Sequence, residues 1–302
     1  MREKVTFIFY CCLIFSIFHP RDAVNAQEWD PVSAGPITTW TAPVCAKGEV
    51  VIQPFFFSNR LRGTYLSNGT FDALPEDEGG NQFIQQLFVQ YGYTDRIEID
   101  GQVEYQTNTI EQSGKEASAG GFGESVLFLR YCVAEEQENR PYIAGMFQLK
   151  IPTGKFENAD PGKLGADLTG NGSWDHGYGI NMSKKVKPFV FHADAIMNFP
   201  LRRKVEGVKT TYGTYLNYDA GLEYYLPGGM NLLLECNGLV QGKTRIEGDN
   251  MQDSDGTSFT VVPGIGWSNE QIQTLFAYQR TVFGKNSDAF DSVVFTLVYA
   301  VP

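Results

Sequence analysis

No stretch of this 302-residue chain stays apolar for the ~20 residues that a helix needs to cross a bilayer. The longest apolar run, Val5–Phe18, covers about 14 residues, too short for a helical span. Basic residues are scarce as well. Lys and Arg number 24 against 35 Asp and Glu, and the formal charge is -11. That balance excludes nucleic acid as a partner, because phosphate backbones call for Lys and Arg. Histidine occurs three times and cysteine five times. Beyond residue 26 only His176, His192, Cys45, Cys132 and Cys236 remain, too few and too scattered for zinc. An odd number of cysteines gives no disulfide framework, although the placing of Cys45 and Cys132 leaves a bridge between them open. No segment carries a cofactor motif, so no cofactor is expected.

What is present begins with a leader. Arg2 and Lys4 charge the start, Val5–Phe18 supply the apolar middle, and Val24-Asn25-Ala26 offers small residues for cleavage. Residues 1–26 are therefore expected to be a signal peptide. Residues 27–48 carry Pro31, Pro36 and Pro43 and the tryptophans Trp29 and Trp40. Proline donates nothing to a ladder, so this segment is expected to be a periplasmic tail or a plug in a barrel mouth.

From 49 to 302 the chain alternates. In 96–106, Arg96, Glu98, Asp100, Gln102, Glu104 and Gln106 share one face, and Ile97, Ile99, Gly101, Val103 and Tyr105 share the other. About twelve such stretches follow one another, each of about 10–13 residues. Ten residues rise about 33 Å, and tilted by about 40° they cover roughly 25 Å of membrane normal. A soluble sandwich uses strands of about five or six residues. The pattern predicts an all-β fold, a transmembrane antiparallel up-and-down β-barrel of about 12 strands over 49–302. The connections 59–80, 109–121, 152–173, 200–211, 242–256 and 284–289 are predicted to be external loops, with short periplasmic turns between them. Outer-membrane lipids, lipopolysaccharide and the outer-membrane assembly machinery are the partners such a barrel implies.

The wet face should line the lumen. Its charged and titratable members are Glu98, Asp100, Glu104, Glu124, Arg130, Lys150, Asp175, His192, Asp194, Asp219, Glu223 and Glu235. These side chains either bond to one another and close a narrow pore, or line an acidic path for a small solute. A hydrolase is a third reading. His192 sits near Asp194, but no serine nucleophile motif adjoins it. In 167–175, Asp167, Asn171 and Asp175 imitate the start of a calcium loop, and the bidentate Glu that would complete it is replaced by Tyr178.

Several phrases are more specific than alternation. Gly121-Phe122-Gly123-Glu124 leads into Phe128-Leu129-Arg130-Tyr131. Gln148-Leu149-Lys150-Ile151-Pro152-Thr153-Gly154 follows Pro141. Gly172-Ser173-Trp174-Asp175 then precedes Ser183-Lys184-Lys185. Their order over about 80–285 resembles the outer-membrane "MetA-pathway of phenol degradation" family. The resemblance implies a transporter-like, porin-like barrel of the bacterial outer membrane, associated with uptake of aromatic compounds, and no enzyme. Nothing in the residues themselves specifies an aromatic solute. A structural or surface-interaction barrel with a closed lumen is the alternative that the alternation leaves standing.

Overall fold

In this computed structural model, Pro31, residues 35–269 and residues 271–301 are described. The expected leader, 1–26, lies outside them. Twelve long strands form the wall. They are β1 (Val50–Tyr65), β2 (Glu78–Thr94), β3 (Ile97–Gln112), β4 (Ser125–Ala134), β5 (Tyr142–Ile151) and β6 (Asp175–Val186), then β7 (Phe189–Pro200), β8 (Tyr215–Tyr225), β9 (Met230–Gln241), β10 (Gly256–Ser268), β11 (Ile272–Lys285) and β12 (Ser287–Val301). Each pairs antiparallel with the next in sequence. β12 pairs back onto β1, with Phe56 opposite Phe295 and Asn59 opposite Ser292. The sheet is thus closed and leaves no edge in the hydrocarbon, where an unpaired backbone group has no water to turn to.

Alternation does what the sequence implies. Leu129, Ile180, Leu234, Phe276 and Val293 point outward and are exposed, at 42–51%. Their neighbours Phe128, Arg130, Asn181, Glu235 and Val294 point inward and are buried. Val and aromatic residues suit this pleated wall because branched and ring side chains pack against cross-strand neighbours.

The outer loops differ from expectation in a consistent way. The stretch 109–121 is no open loop. β3 runs on to Gln112, turns at Ser113-Gly114 with positive φ at both, and returns as a strand, Lys115–Phe122. Two successive positive φ values match the tight turn that a twisted hairpin prefers. The returning strand then breaks at Gly123-Glu124 and resumes as β4. Residues 203–211 and 245–250 form two further short hairpins, joined by Thr210–Ile246 and Thr211–Arg245 pairs. Above the bilayer both faces of a strand meet water, so apolar alternation ends while pairing continues. Only 152–173 stays largely irregular, with one 3-10 turn at Pro161–Lys163.

The lumen is also drier than a purely polar face suggests. Phe55, Phe88, Val126, Phe128, Met146, Ile196, Leu233, Val262, Leu275, Ala277 and Val294 form one inward cluster with Ile37, and Trp40 and Phe57 pack against it. Trp40 lies edge-on to Phe88 at 5.4 Å and 4.7 Å from Phe128. The barrel therefore has a core, and residues of the Pro-rich segment supply its centre.

A cation at a lipid-facing mid-strand site costs ~2–4 kcal/mol, while one beside water costs little. Leu129→Arg should lower folding stability by about that amount, and Thr260→Arg, on the inner wall, by less than 1 kcal/mol. Urea titrations of refolding in lipid vesicles give both values. Equal losses would mean that the facing is misassigned.

Candidate functional site

Residues 35–46 cross the lumen, and the inward carboxylates hold them by their backbone. Glu235 on β9 accepts N–H bonds from Ile37, Thr38 and Thr39 at 2.8–2.9 Å, and the hydroxyls of Thr38 and Thr39 donate to it as well. Asp194 on β7 accepts from Trp40 N–H at 2.8 Å. The Ser183 hydroxyl on β6 accepts from Ala42 N–H at 2.8 Å. Glu98 on β3 accepts from Cys45 N–H. A segment rich in proline cannot satisfy its own donors in a helix or ladder, so the wall does so. Gly92 marks where the segment leaves. Its N–H donates to Glu49 O, Gly48 N–H donates to its carbonyl, and a Cβ there would lie 1.9 Å from Ala46 O.

Arg130 is the counterweight. Its side chain is fully buried, paired with Glu98, and donates to the carbonyls of Thr41, Ala42 and Pro43. The guanidinium lies 5.3 Å from the Trp40 ring, a cation–π contact. Acceptors at 41–43 thus meet a cation, and donors at 37–40, 42 and 45 meet anions and a hydroxyl.

A relay stands behind Ser183. Its hydroxyl lies 2.8 Å from His192 Nδ1, and His192 Nε2 lies 3.0 Å from Glu223 Oε1. Glu223 also accepts from Tyr225 at 2.8 Å and Asn231 at 2.6 Å. The connectivity is that of a nucleophile, base and acid, but all three are buried and the serine hydroxyl already holds Ala42.

The remaining candidates divide. Asp100 is fully buried next to Glu98, with no hydrogen-bond donor to either oxygen. Asp219 faces Asp194 across the strand pair and accepts from Asn237 at 2.8 Å. Glu104, Glu124, Lys150 and Asp175 belong to a second group at the outer end. There the loop 152–173 folds inward. Glu124 accepts from Asn171 N–H at 2.7 Å, and Gly123 lies so close to Glu104 that a Cβ would meet its carboxylate at 2.1 Å. Lys150 Nζ reaches Asp175 at 2.7 Å and Asn171 Oδ1 at 3.1 Å. Thr169 donates to Phe122 O, and its own carbonyl accepts from Gln106.

The calcium-like residues are drawn to ammonium groups. Asn171 and Asp175 meet Lys150, and Asp167 meets Lys155 and Asp160 N–H. That hydrogen bond from Lys155 holds the Asp167 carboxyl below the usual carboxylate range, as Lys285 does for Asp255. Among the described residues no three His, Cys, Asp or Glu side chains converge as metal ligands. Cys45, Cys132 and Cys236 are all free, so the bridge that the sequence leaves open is not formed.

Between the crossing segment and the external mouth lie two cavities. One, of about 370 Å³, is lined by Phe57, Leu239 and Phe290 together with Ser258, Thr260, Thr281, Ser287 and Ser292, the amides of Asn59 and Gln279 and the carboxyl of Asp288. The other, of about 680 Å³, adjoins it through Leu239, Ser287 and Asp288 and reaches Ser67 and Asp253 in the outer loops. Sequence reasoning named the carboxylates but missed their partners: Ser183, Trp40, Thr38 and Thr39. The available signal was the interruption at 27–48, a proline- and tryptophan-bearing stretch beside a wall with excess acid.

The sequence profile of a family described as "Putative MetA-pathway of phenol degradation" matches residues 56–295. No curated protein matches the chain. Among solved structures, the COG4313 outer membrane channel from Pseudomonas putida F1 superposes with a TM-score of 0.71 at 13% identity, covering 91% of this chain and 100% of that one. The NanC porin gives a TM-score of 0.47 at 8% identity, with 83% of this chain and 100% of that chain covered. The fold is that of a bacterial outer-membrane barrel.

Removing the Glu235 carboxylate strips three N–H groups of their acceptor, those of Ile37 and Thr39 buried, and one such buried loss costs about 1–3 kcal/mol. Glu235→Ala should free residues 37–39 and raise planar-bilayer conductance severalfold. Glu235→Gln, which keeps one carbonyl acceptor, should give a smaller rise. Conductance equal to wild type in both would show that the segment is not the obstruction.

Proposed function

Because the chain belongs to the putative MetA-pathway of phenol degradation family, we propose that it is an outer-membrane channel for small, weakly polar solutes, phenol-type aromatics among them. The observation that carries this reading is the 370 Å³ cavity. Two rings and a leucine supply apolar walls, and five hydroxyls, two amides and one carboxyl supply hydrogen-bond partners, which suits a compact ring bearing one or two polar groups. Phe57 lines the cavity and also packs on the inward cluster that includes Ile37, which links the cavity wall to the core around the crossing segment.

The acidic residues enter as scaffold. Glu98, Asp194 and Glu235 each accept backbone N–H groups from residues 37–45, so they hold the crossing segment rather than line an open cationic conduit. Passage to the periplasm then requires residues 35–46 to move. Catalysis has no place in this reading, because Ser183, His192 and Glu223 are buried and the serine anchors the segment. The outer vestibule receives the solute, the apolar core excludes large hydrated ones, and the segment governs release.

Liposome swelling with neutral solutes of graded size tests the reading. Small solutes of phenol size and polarity should enter faster than sugars. Thr260→Trp, which fills the smaller cavity, should cut that flux severalfold while the barrel still shows heat-shifted migration. Absence of flux in the wild type would move the assignment to a closed barrel that acts through its outer loops.

A further inference from the structure

One row of inward side chains is left without the partners that burial demands. Asn181 on β6 lies directly opposite Asp194 on β7, Asp194 lies opposite Asp219 on β8, and Asp219 lies opposite Asn237 on β9. Directly opposed residues hold their Cβ atoms about 4.5–5.5 Å apart, so four polar side chains stand shoulder to shoulder. Part of the row is explained. Asn237 donates to Asp219, and Trp40 N–H donates to one oxygen of Asp194. The rest is not. Asn181 is fully buried, and neither its Oδ1 nor its Nδ2 has a partner. Asp194 is 5% exposed, and its Oδ1 has none either.

Two carboxyl groups therefore face one another, Asp194 buried and Asp219 half-buried, beside an unpartnered amide oxygen. The nearest guanidinium, that of Arg130, is committed to Glu98 and to the carbonyls of residues 41–43. A buried anion without a counter-charge is strongly unfavourable, and a second carboxyl opposite it adds repulsion, so something must stand between them. A shared proton would link the two carboxyls but leave the Asn181 oxygen empty. A hard cation would meet all three oxygens at once. The donor set is oxygen only, its formal charge is that of two carboxylates, and it is drawn from three adjacent strands. Calcium tolerates irregular sites with about six to eight oxygens, whereas magnesium demands a near-ideal octahedron.

We propose that Asn181, Asp194 and Asp219 form a calcium site inside the wall, completed by water, directly beneath Trp40. The ion would fix the Asp194 carboxylate that holds the crossing segment, whatever solute the channel carries.

The test is calorimetric titration of CaCl₂ into the full-length mature protein in detergent after chelator treatment, with MgCl₂ and NaCl run in parallel. The expected result is one calcium bound per chain, with magnesium at least tenfold weaker and sodium without saturable heat. Asp194→Asn, Asp219→Asn and Asn181→Ala should each weaken calcium binding at least tenfold. Asp249→Asn, in an outer hairpin, should leave it unchanged. Folding of each variant is checked by heat-shifted gel migration, and the wild-type titration stands by itself if a variant does not fold. No calcium binding by the wild type overturns the proposal and leaves a shared proton. Binding that survives all three inner substitutions also overturns it, because the site would then lie elsewhere.

Discussion

Every backbone N–H and C=O that crosses the hydrocarbon must find its partner inside the protein. That constraint governs this structure twice. In the wall it requires closure, which the pairing of β12 with β1 supplies. In the lumen it acts on a segment that crosses the barrel without secondary structure of its own. Residues 35–46 have donors and acceptors but no ladder, and the wall answers with carboxylates, a hydroxyl and a guanidinium placed at matching heights.

The dependence runs in both directions. A buried carboxylate is costly unless several donors meet it. Glu235 meets five, from three consecutive residues of the segment. Glu98 and Arg130 are both fully buried, and removal of one partner from such a pair costs about 3–5 kcal/mol because the other charge remains. The wall's charges thus need the segment as much as the segment needs the wall. Trp40 adds the apolar part, filling the space between Phe88 and Phe128 while its backbone is held by Asp194. The same arrangement divides the barrel into a filled inner half and an outer vestibule. It explains why acid-rich strands do not add up to an open acidic pore.

The strands were legible because lipid imposes a rule that each residue obeys locally. Leu127, Leu129 and Tyr131 must be greasy, and Phe128 and Arg130 need not be. Beyond the bilayer that rule lapses, which is why the hairpin through Ser113-Gly114 reads as a loop although it is paired throughout. The inward face was legible as a list and illegible as a site. Asp175 and Glu235 look alike in sequence, yet one meets a lysine near the outer mouth and the other meets the backbone of Ile37, Thr38 and Thr39.

The sequence by itself determined an outer-membrane β-barrel, its approximate strand number, which side chains face lipid and which face inward, and the family. Those properties follow from a two-residue period and from short contiguous phrases. Tertiary structure alone decided what the inward charges do. The bond between Ile37 N–H and Glu235 joins residues 198 apart in the chain, and that between Ala42 N–H and Ser183 joins residues 141 apart. No local pattern encodes which carboxylate a distant backbone donor will reach. That choice is made only when the closed wall fixes the height of each side chain and the crossing segment takes a path that brings its donors to the wall's carboxylates.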